Sequence, residues 1–197
     1  SSQCEVDAGE DVTICQGESV VIGGNPTVVQ SNGNPNISWS NGAGNDDNPT
    51  VSPNSTTTYT VTLTGNGCNE TSSITVTVLP SPNANFNFGP NNACAGVPVT
   101  FTNTSTNCPS CTYSWDFDNP SSGSNSSTAN NPTHVFDAVG NGNQVFNVTL
   151  TITAANGCTD TQTTAVTVQQ APNAVLTEDA NFIQCLGVPA FDAFVTD

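Results

Sequence analysis

Tyr113-Ser114-Trp115-Asp116-Phe117 alternates large apolar residues with polar ones. In an extended chain successive side chains point to opposite faces, so Tyr113, Trp115 and Phe117 share one face, Ser114 and Asp116 the other. A Trp at the centre of a short strand, facing inward, is the usual middle of a two-sheet β-sandwich. Asn36-Ile37-Ser38-Trp39-Ser40 repeats the pattern earlier in the chain, with Ile37 and Trp39 on one face. Each Trp is read as the core anchor of one module.

The segments that flank each Trp strand repeat as well. Tyr59-Thr60-Val61-Thr62-Leu63-Thr64 alternates with Tyr59, Val61 and Leu63 inward, and Phe146-Asn147-Val148-Thr149-Leu150-Thr151-Ile152 is its counterpart. Tyr59 and Phe146 are thereby core anchors alongside Trp39 and Trp115. Both segments end in an Asn-Gly-Cys turn, Asn66-Gly67-Cys68 and Asn156-Gly157-Cys158, and Asn-Gly supplies the positive φ angles of a tight hairpin. A final alternating strand follows each turn. A Cys-x-Gly block precedes an apolar run three times, at Cys15, Cys94 and Cys185. Self-similarity on this scale marks repeated modules.

Proline marks the boundaries. Leu79-Pro80-Ser81-Pro82 and Gln169-Gln170-Ala171-Pro172 read as short stiff linkers. The expected organisation is all-β: a sandwich over 1–80, a second over 81–170, and over 171–197 the start of a third module or an exchanged segment. No stretch shows sustained helical periodicity.

Modules this small bury only about 60% of their unfolded surface and need staples. The repeat register pairs Cys15 with Cys68 and Cys94 with Cys158, closing loops of roughly 50–65 residues, each bond worth about 4 kcal/mol on a chain-entropy model. Cys108-Pro109-Ser110-Cys111 reads as a small local disulfide. A redox pair needs an activating helix end or cation, and a zinc site needs a second ligand pair. Cys4 and Cys185 are left over. They are read as partners of cysteines beyond the chain, or as an intersubunit bond locking a joint between copies whose exposed strand edges pair.

The 197 residues include 16 acidic ones, one His, and no Lys or Arg, for a net charge of −16. Such a chain is repelled by nucleic acid and by anionic membranes. Nor does any apolar run suffice to span a bilayer. Its surface must be covered by Thr, Ser and Asn. Eight cysteines indicate an oxidising compartment, and the missing signal peptide suggests a mature or excised chain.

The remaining chemistry-bearing residues have modest readings. His134 lacks a nucleophile or ligand pattern around it and reads as a structural strand residue. Asp116 is expected to accept hydrogen bonds from a neighbouring turn rather than serve as a catalytic acid. Asp118 and the Asp46-Asp47 pair show no calcium-loop spacing. Weak calcium attraction by the acidic surface is the one cofactor expectation. N-x-S/T sequons start at Asn36, Asn54, Asn69, Asn103, Asn125 and Asn147, as chance supplies in so Asn- and Thr-rich a chain.

Trp115-Asp116-Phe117, then Pro132-Thr133-His134-Val135-Phe136, then Val145-Phe146-Asn147-Val148-Thr149-Leu150 resemble the W-D-F-G-D-G, P-x-H-x-Y and G-x-Y-x-V-x-L motifs of polycystic-kidney-disease (PKD) repeats. The resemblance covers about residues 82–170. Asp118-Asn119-Pro120 replaces G-D-G, and Phe136 and Phe146 stand where the family has Tyr. The first module resembles a looser immunoglobulin-like relative. Its Asp7-Ala8-Gly9-Glu10-Asp11 opening, its Ser55-to-Tyr59 run and the Asn-Gly-Cys turns are similar to tandem repeats in giant surface proteins of Bacteroidetes, including gliding-type adhesins exported by type IX secretion. The resemblance implies a cell-surface, non-catalytic role as stalk, filament or adhesin. Its partners would be adjacent repeats, other copies, or surface glycans or proteins. The alternative is a carbohydrate-binding accessory module of a secreted enzyme, which would need an exposed aromatic platform.

Overall fold

A computed structural model describes residues 4–31, 33–138 and 142–170. Every regular element in these residues is a β-strand. The chain divides into two compact units, with the break between Ser81 and Pro82.

The first unit contains β1 (Glu5–Val6), β2 (Val12–Cys15), β3 (Val20–Val21), β4 (Val28–Gln30), β5 (Asn36–Trp39), β6 (Thr50–Val51), β7 (Thr57–Gly65) and β8 (Cys68–Leu79). One sheet runs in the order β2-β8-β7-β5. Two ribbons, β1-β4 and β3-β6, make the remaining pairings. β7 and β8 form the long hairpin that the Thr/apolar alternation dictates. Gly65 pairs with Cys68 across a two-residue loop, and Asn66 (φ 52°) and Gly67 (φ 82°) both take the left-handed conformation of a type I′ turn. Inward residues Tyr59, Val61, Leu63, Ile74 and Val76 pack with Trp39, Ile22, Ile14 and Ala8.

The second unit contains β9 (Phe86–Gly89), β10 (Ala93–Cys94), β11 (Pro98–Asn103), β12 (Thr112–Asp116), β13 (Ser126–Ser127), β14 (Thr133–Val135), β15 (Asn143–Thr153) and β16 (Thr159–Gln169). They make a five-stranded sheet, β10-β16-β15-β12-β13, and a three-stranded one, β14-β11-β9. The buried core between them is aromatic: Phe86, Phe101, Trp115, Phe117, Phe136 and Phe146. The β15–β16 turn differs from its counterpart. Only Gly157 takes positive φ. The Asn156 side chain instead accepts the Cys158 N–H at 3.0 Å, and Ala154 N–H closes the loop on the Cys158 carbonyl at 2.8 Å.

The Cys15 and Cys94 blocks each close one short strand as well as leading into the next, β3 and β11. Cys15 ends β2 and Cys94 ends β10. Each cysteine carbonyl accepts an amide three residues on, from Glu18 and Val97, around Gly17 (φ 93°) and Gly96 (φ 82°). The strand that ends there pairs parallel with the last strand of its unit. Cys15 registers with Leu79, and Cys94 with Gln169.

This register corrects the expected staples. Cys68 opens the 12-residue β8 that Leu79 closes, so Cys15 and Cys68 lie about 36 Å apart at roughly 3.3 Å per residue. Cys158 immediately precedes the 11-residue β16 that Gln169 closes, so Cys94 and Cys158 are separated by a similar distance. A disulfide requires Cα atoms within about 7 Å, so neither Cys15–Cys68 nor Cys94–Cys158 forms. Cys68 bonds to Cys4 instead, with Cα atoms 5.7 Å apart. Cys4 is therefore joined within its own module, not to a neighbouring subunit. Cys108 and Cys111 are bonded to each other. Cys15, Cys94 and Cys158 are also disulfide-bonded. Cys185 and the rest of 171–197, expected as the start of a third module or an exchanged segment, lie outside the described residues.

The outward sheet faces carry hydroxyls in cross-strand pairs. Thr149 meets Thr163 at 2.9 Å, Thr151 meets Thr161 at 3.2 Å, and Thr60 meets Ser73 at 2.9 Å. Such pairs contribute about 0.2–1 kcal/mol each. They supply the neutral polar cover that a chain without Lys or Arg requires.

Candidate functional site

The residues with chemical potential in the second unit converge on the turn after Trp115. β12 delivers Trp115 to the core, and its indole N–H donates to the Ala129 carbonyl at 2.9 Å. The first unit repeats this contact: Trp39 donates to the Asp46 carbonyl at 3.0 Å. In both units the loop after the Trp strand is tied to the indole. Both rings are buried, at 6% exposure for Trp39 and 1% for Trp115. Tyr59 and Phe146 are buried as well.

Past Trp115 the chain reverses at Asp118, which takes positive φ of 55°. Asp and Asn tolerate this region because their short side chains bond locally. Asp116 Oδ1 accepts the Asp118 N–H and an Asn125 amide hydrogen, both at 3.0 Å. Asp118 Oδ2 accepts the Asn147 N–H at 2.9 Å. Asn125 returns its carbonyls to the turn, the backbone one to Phe117 N–H at 2.9 Å and the side-chain one to Asn119 N–H.

Beneath this turn lie Asn119 and His134, at 1% and 2% exposure. The Asn119 Nδ2 stands 3.2 Å from His134 Nε2, and Ser121 Oγ donates to Asn119 Oδ1 at 2.8 Å. An amide nitrogen only donates, so Nε2 is the accepting nitrogen and the ring proton sits on Nδ1. The imidazole stacks on Phe117 with centroids 4.2 Å apart and planes 6° apart, and meets Phe136 edge-on at 4.6 Å. Burial pushes the His134 pKa below its ordinary value, with the Asp137 carboxylate acting in the opposite direction.

The cluster is structural in its chemistry. His134 has its accepting nitrogen occupied and no access to solvent, so it cannot work as a base on an outside substrate. Asp116 and Asp118 are engaged by backbone and amide hydrogens. Among the described residues no group of three or more His, Cys, Asp or Glu side chains could hold a metal. In the first unit, Asp46 and Asp47 contribute backbone carbonyls, to Trp39 and to Thr27 Oγ1 at 2.6 Å. A surface depression of about 340 Å³ near Gln16, Asn54, Thr56 and Pro80 is lined by no titratable side chain. No buried side-chain polar atom among the described residues lacks a partner.

The sequence placed Asp116 and His134 on their strands but gave no account of Asn119, whose side chain joins His134 to the turn. Its signal was the departure from the family pattern after Phe117. Nor was Phe101 singled out, although five aromatic rings surround it: Phe86, Phe88, Trp115, Phe117 and Phe136, at centroid distances of 5.4–6.4 Å.

Residues 80–168 match the family model of the PKD domain. The chain is similar to the PKD1 domain of Vibrio anguillarum Epp, at 27% identity over 46% of this chain and 96% of that one, with a TM-score of 0.36. It is similar to the PKD1 domain of the Vibrio cholerae metalloprotease PrtV, at 28% identity over 46% and 99% of the two chains, TM-score 0.36. Extracellular domains 3–5 of Drosophila OTK align at 15% identity over 87% of this chain and 62% of that one, TM-score 0.38. No curated protein matches the chain.

Proposed function

We propose that this chain is a structural or adhesive segment of an extracellular repeat protein, serving as part of a stalk, filament or cell-surface adhesin and performing no catalysis itself. The observation that carries this reading is the fate of the chemically capable side chains. Asp116, Asp118, Asn119 and His134 are all engaged in holding a turn against a core. Disulfides within small sandwiches belong to oxidising, extracellular-type compartments. Among the described residues no helix is long and apolar enough to cross a membrane. The PKD match over 80–168 supports a binding or spacing module. Both indoles are internal, so neither offers a stacking platform for a sugar. On this reading the partners are adjacent repeats, other copies, or surface glycans and proteins, and the export route is type IX secretion, as for the Bacteroidetes surface proteins that the sequence resembles.

Negative-stain imaging of the native material together with a glycan array tests the proposal. Strings or fibres of sandwich-sized beads are expected. Isolated small particles that bind one glycan class at micromolar affinity would replace this reading with that of a carbohydrate-binding accessory module.

A further inference from the structure

The one imidazole in this protein is also the side chain that seats the loop after Trp115. His134 is its sole histidine, and there is no Lys or Arg. Its ring carries the Asn119 amide at 3.2 Å and lies flat on Phe117. From Asn119 the loop continues through a Ser122 N–H bond to the Asn119 carbonyl, then Asn125, and then β13, which pairs Ser127 with Trp115 and Ser126 with Asp116. β13 is the last strand of the five-stranded sheet, so this loop covers the outer edge of β12.

We propose that residues 118–131 form a latch that neutral His134 holds shut and that protonation of its ring releases, uncovering the outer edge of β12. With a proton on Nε2, that nitrogen becomes a donor facing the donor Nδ2 of Asn119, so the hydrogen bond as it stands is lost, and turning the amide over to present Oδ1 would break the bond that Ser121 Oγ donates to it. A buried cation then replaces a buried neutral ring, which opposes the closed state. Few charged groups among the described residues face the ring. Asp137, on its own segment, and the face of Phe117 favour the cation. Asp116 and Asp118, on the turn above, are the other acids on the packed elements. β9, β11 and β15 contribute no titratable side chain. Opening exposes the ring, whose ordinary pKa is near 6.5, so each pH unit below that value favours opening by up to tenfold, down to the closed-state pKa.

Amide hydrogen exchange on the intact chain at pH 7.5 and 5.5 tests the latch, corrected for the intrinsic pH dependence of exchange. The lower pH stays above the ordinary carboxylate range. Protection at Phe117, Asn119 and Ser122 is expected to fall by up to about tenfold, while β15 and β16 hold theirs. Unchanged protection, or an equal loss across β15 and β16, overturns the proposal. His134→Phe keeps the stack and cannot titrate, so its loop should show no pH response; a retained response also overturns it. If that variant fails to fold, the ring ¹⁵N shifts of the wild type decide: the latch requires His134 to gain its proton in step with the loss of loop protection, and a ring that stays neutral while the loop opens refutes it.

Discussion

Replacing Phe101 by Ala should unfold the second unit more readily than any other single truncation in its core. Phe101 has no exposed surface and sits at the centre of the ring cluster, 5.6 Å from Trp115 and 5.4 Å from Phe117. Phe→Ala in a core costs about 3–5 kcal/mol through lost transfer energy and the cavity left behind. Aromatic pairs add about 0.5–1.5 kcal/mol each beyond area, and not additively. Rings fixed in a sandwich cannot collapse far into the space, so the upper end, about 4–5 kcal/mol, is expected. In a module of this size 1 kcal/mol moves Tm by roughly 4–8 °C, giving a fall of about 16–40 °C. The Trp115 indole N–H resonance, held by Ala129, reports the second unit, and the Trp39 resonance reports the first. Thermal melts followed at both should show the Trp115 transition moving and the Trp39 transition staying. Phe101→Leu, which keeps most of the apolar volume but loses the ring pairs, should cost only about 1–2 kcal/mol. A fall of less than about 5 °C for Phe101→Ala would refute the ring cluster as the organising core.

Three further outcomes are expected. Non-reducing peptide mapping with a protease that needs no Lys or Arg should recover Cys4 joined to Cys68, and Cys4→Ser should cost about 2–5 kcal/mol in the first unit; recovery of Cys15 joined to Cys68 would contradict the parallel register of β2. Gly23→Ala should destabilise the first unit by at least about 2 kcal/mol in urea denaturation, because Gly23 has φ 110° and a Cβ there would meet Thr27 Oγ1, Asn48 Nδ2 and the Asp47 carbonyl, the last at 2.7 Å; a neutral substitution would mean that this node can move. Stability of the second unit should be full above about pH 6.5 and decline as pH falls toward the lowered pKa of His134, since the unfolded chain binds more protons across that window; denaturation midpoints at pH 7.5 and 5.5 that do not differ, or that rise toward acid, would place His134 outside that account.

Strand content and the faces of the strands were legible in the residues alone. Alternation is a local property: Tyr59, Val61 and Leu63 must share a face whatever lies opposite, and in an uncharged Thr-rich strand that face is the core. The Asn66-Gly67 turn was legible for the same reason, because its φ angles belong to two residues. The same dipeptide at Asn156-Gly157 folds differently, since the Asn156 side chain finds the Cys158 amide. The local Cys108–Cys111 pair was legible, but the long-range cysteine pairing was not, because it depends on which strand β2 and β10 join and in which direction. Both add parallel to the far end of a long last strand, so the conspicuous Cys-x-Gly repeat carries Cys15 and Cys94 away from Cys68 and Cys158. The seat of His134 was hidden likewise. Its partners, Phe117 and Asn119, are more than a dozen residues away, and only the packing of two sheets brings the ring, the turn and the loop to one point.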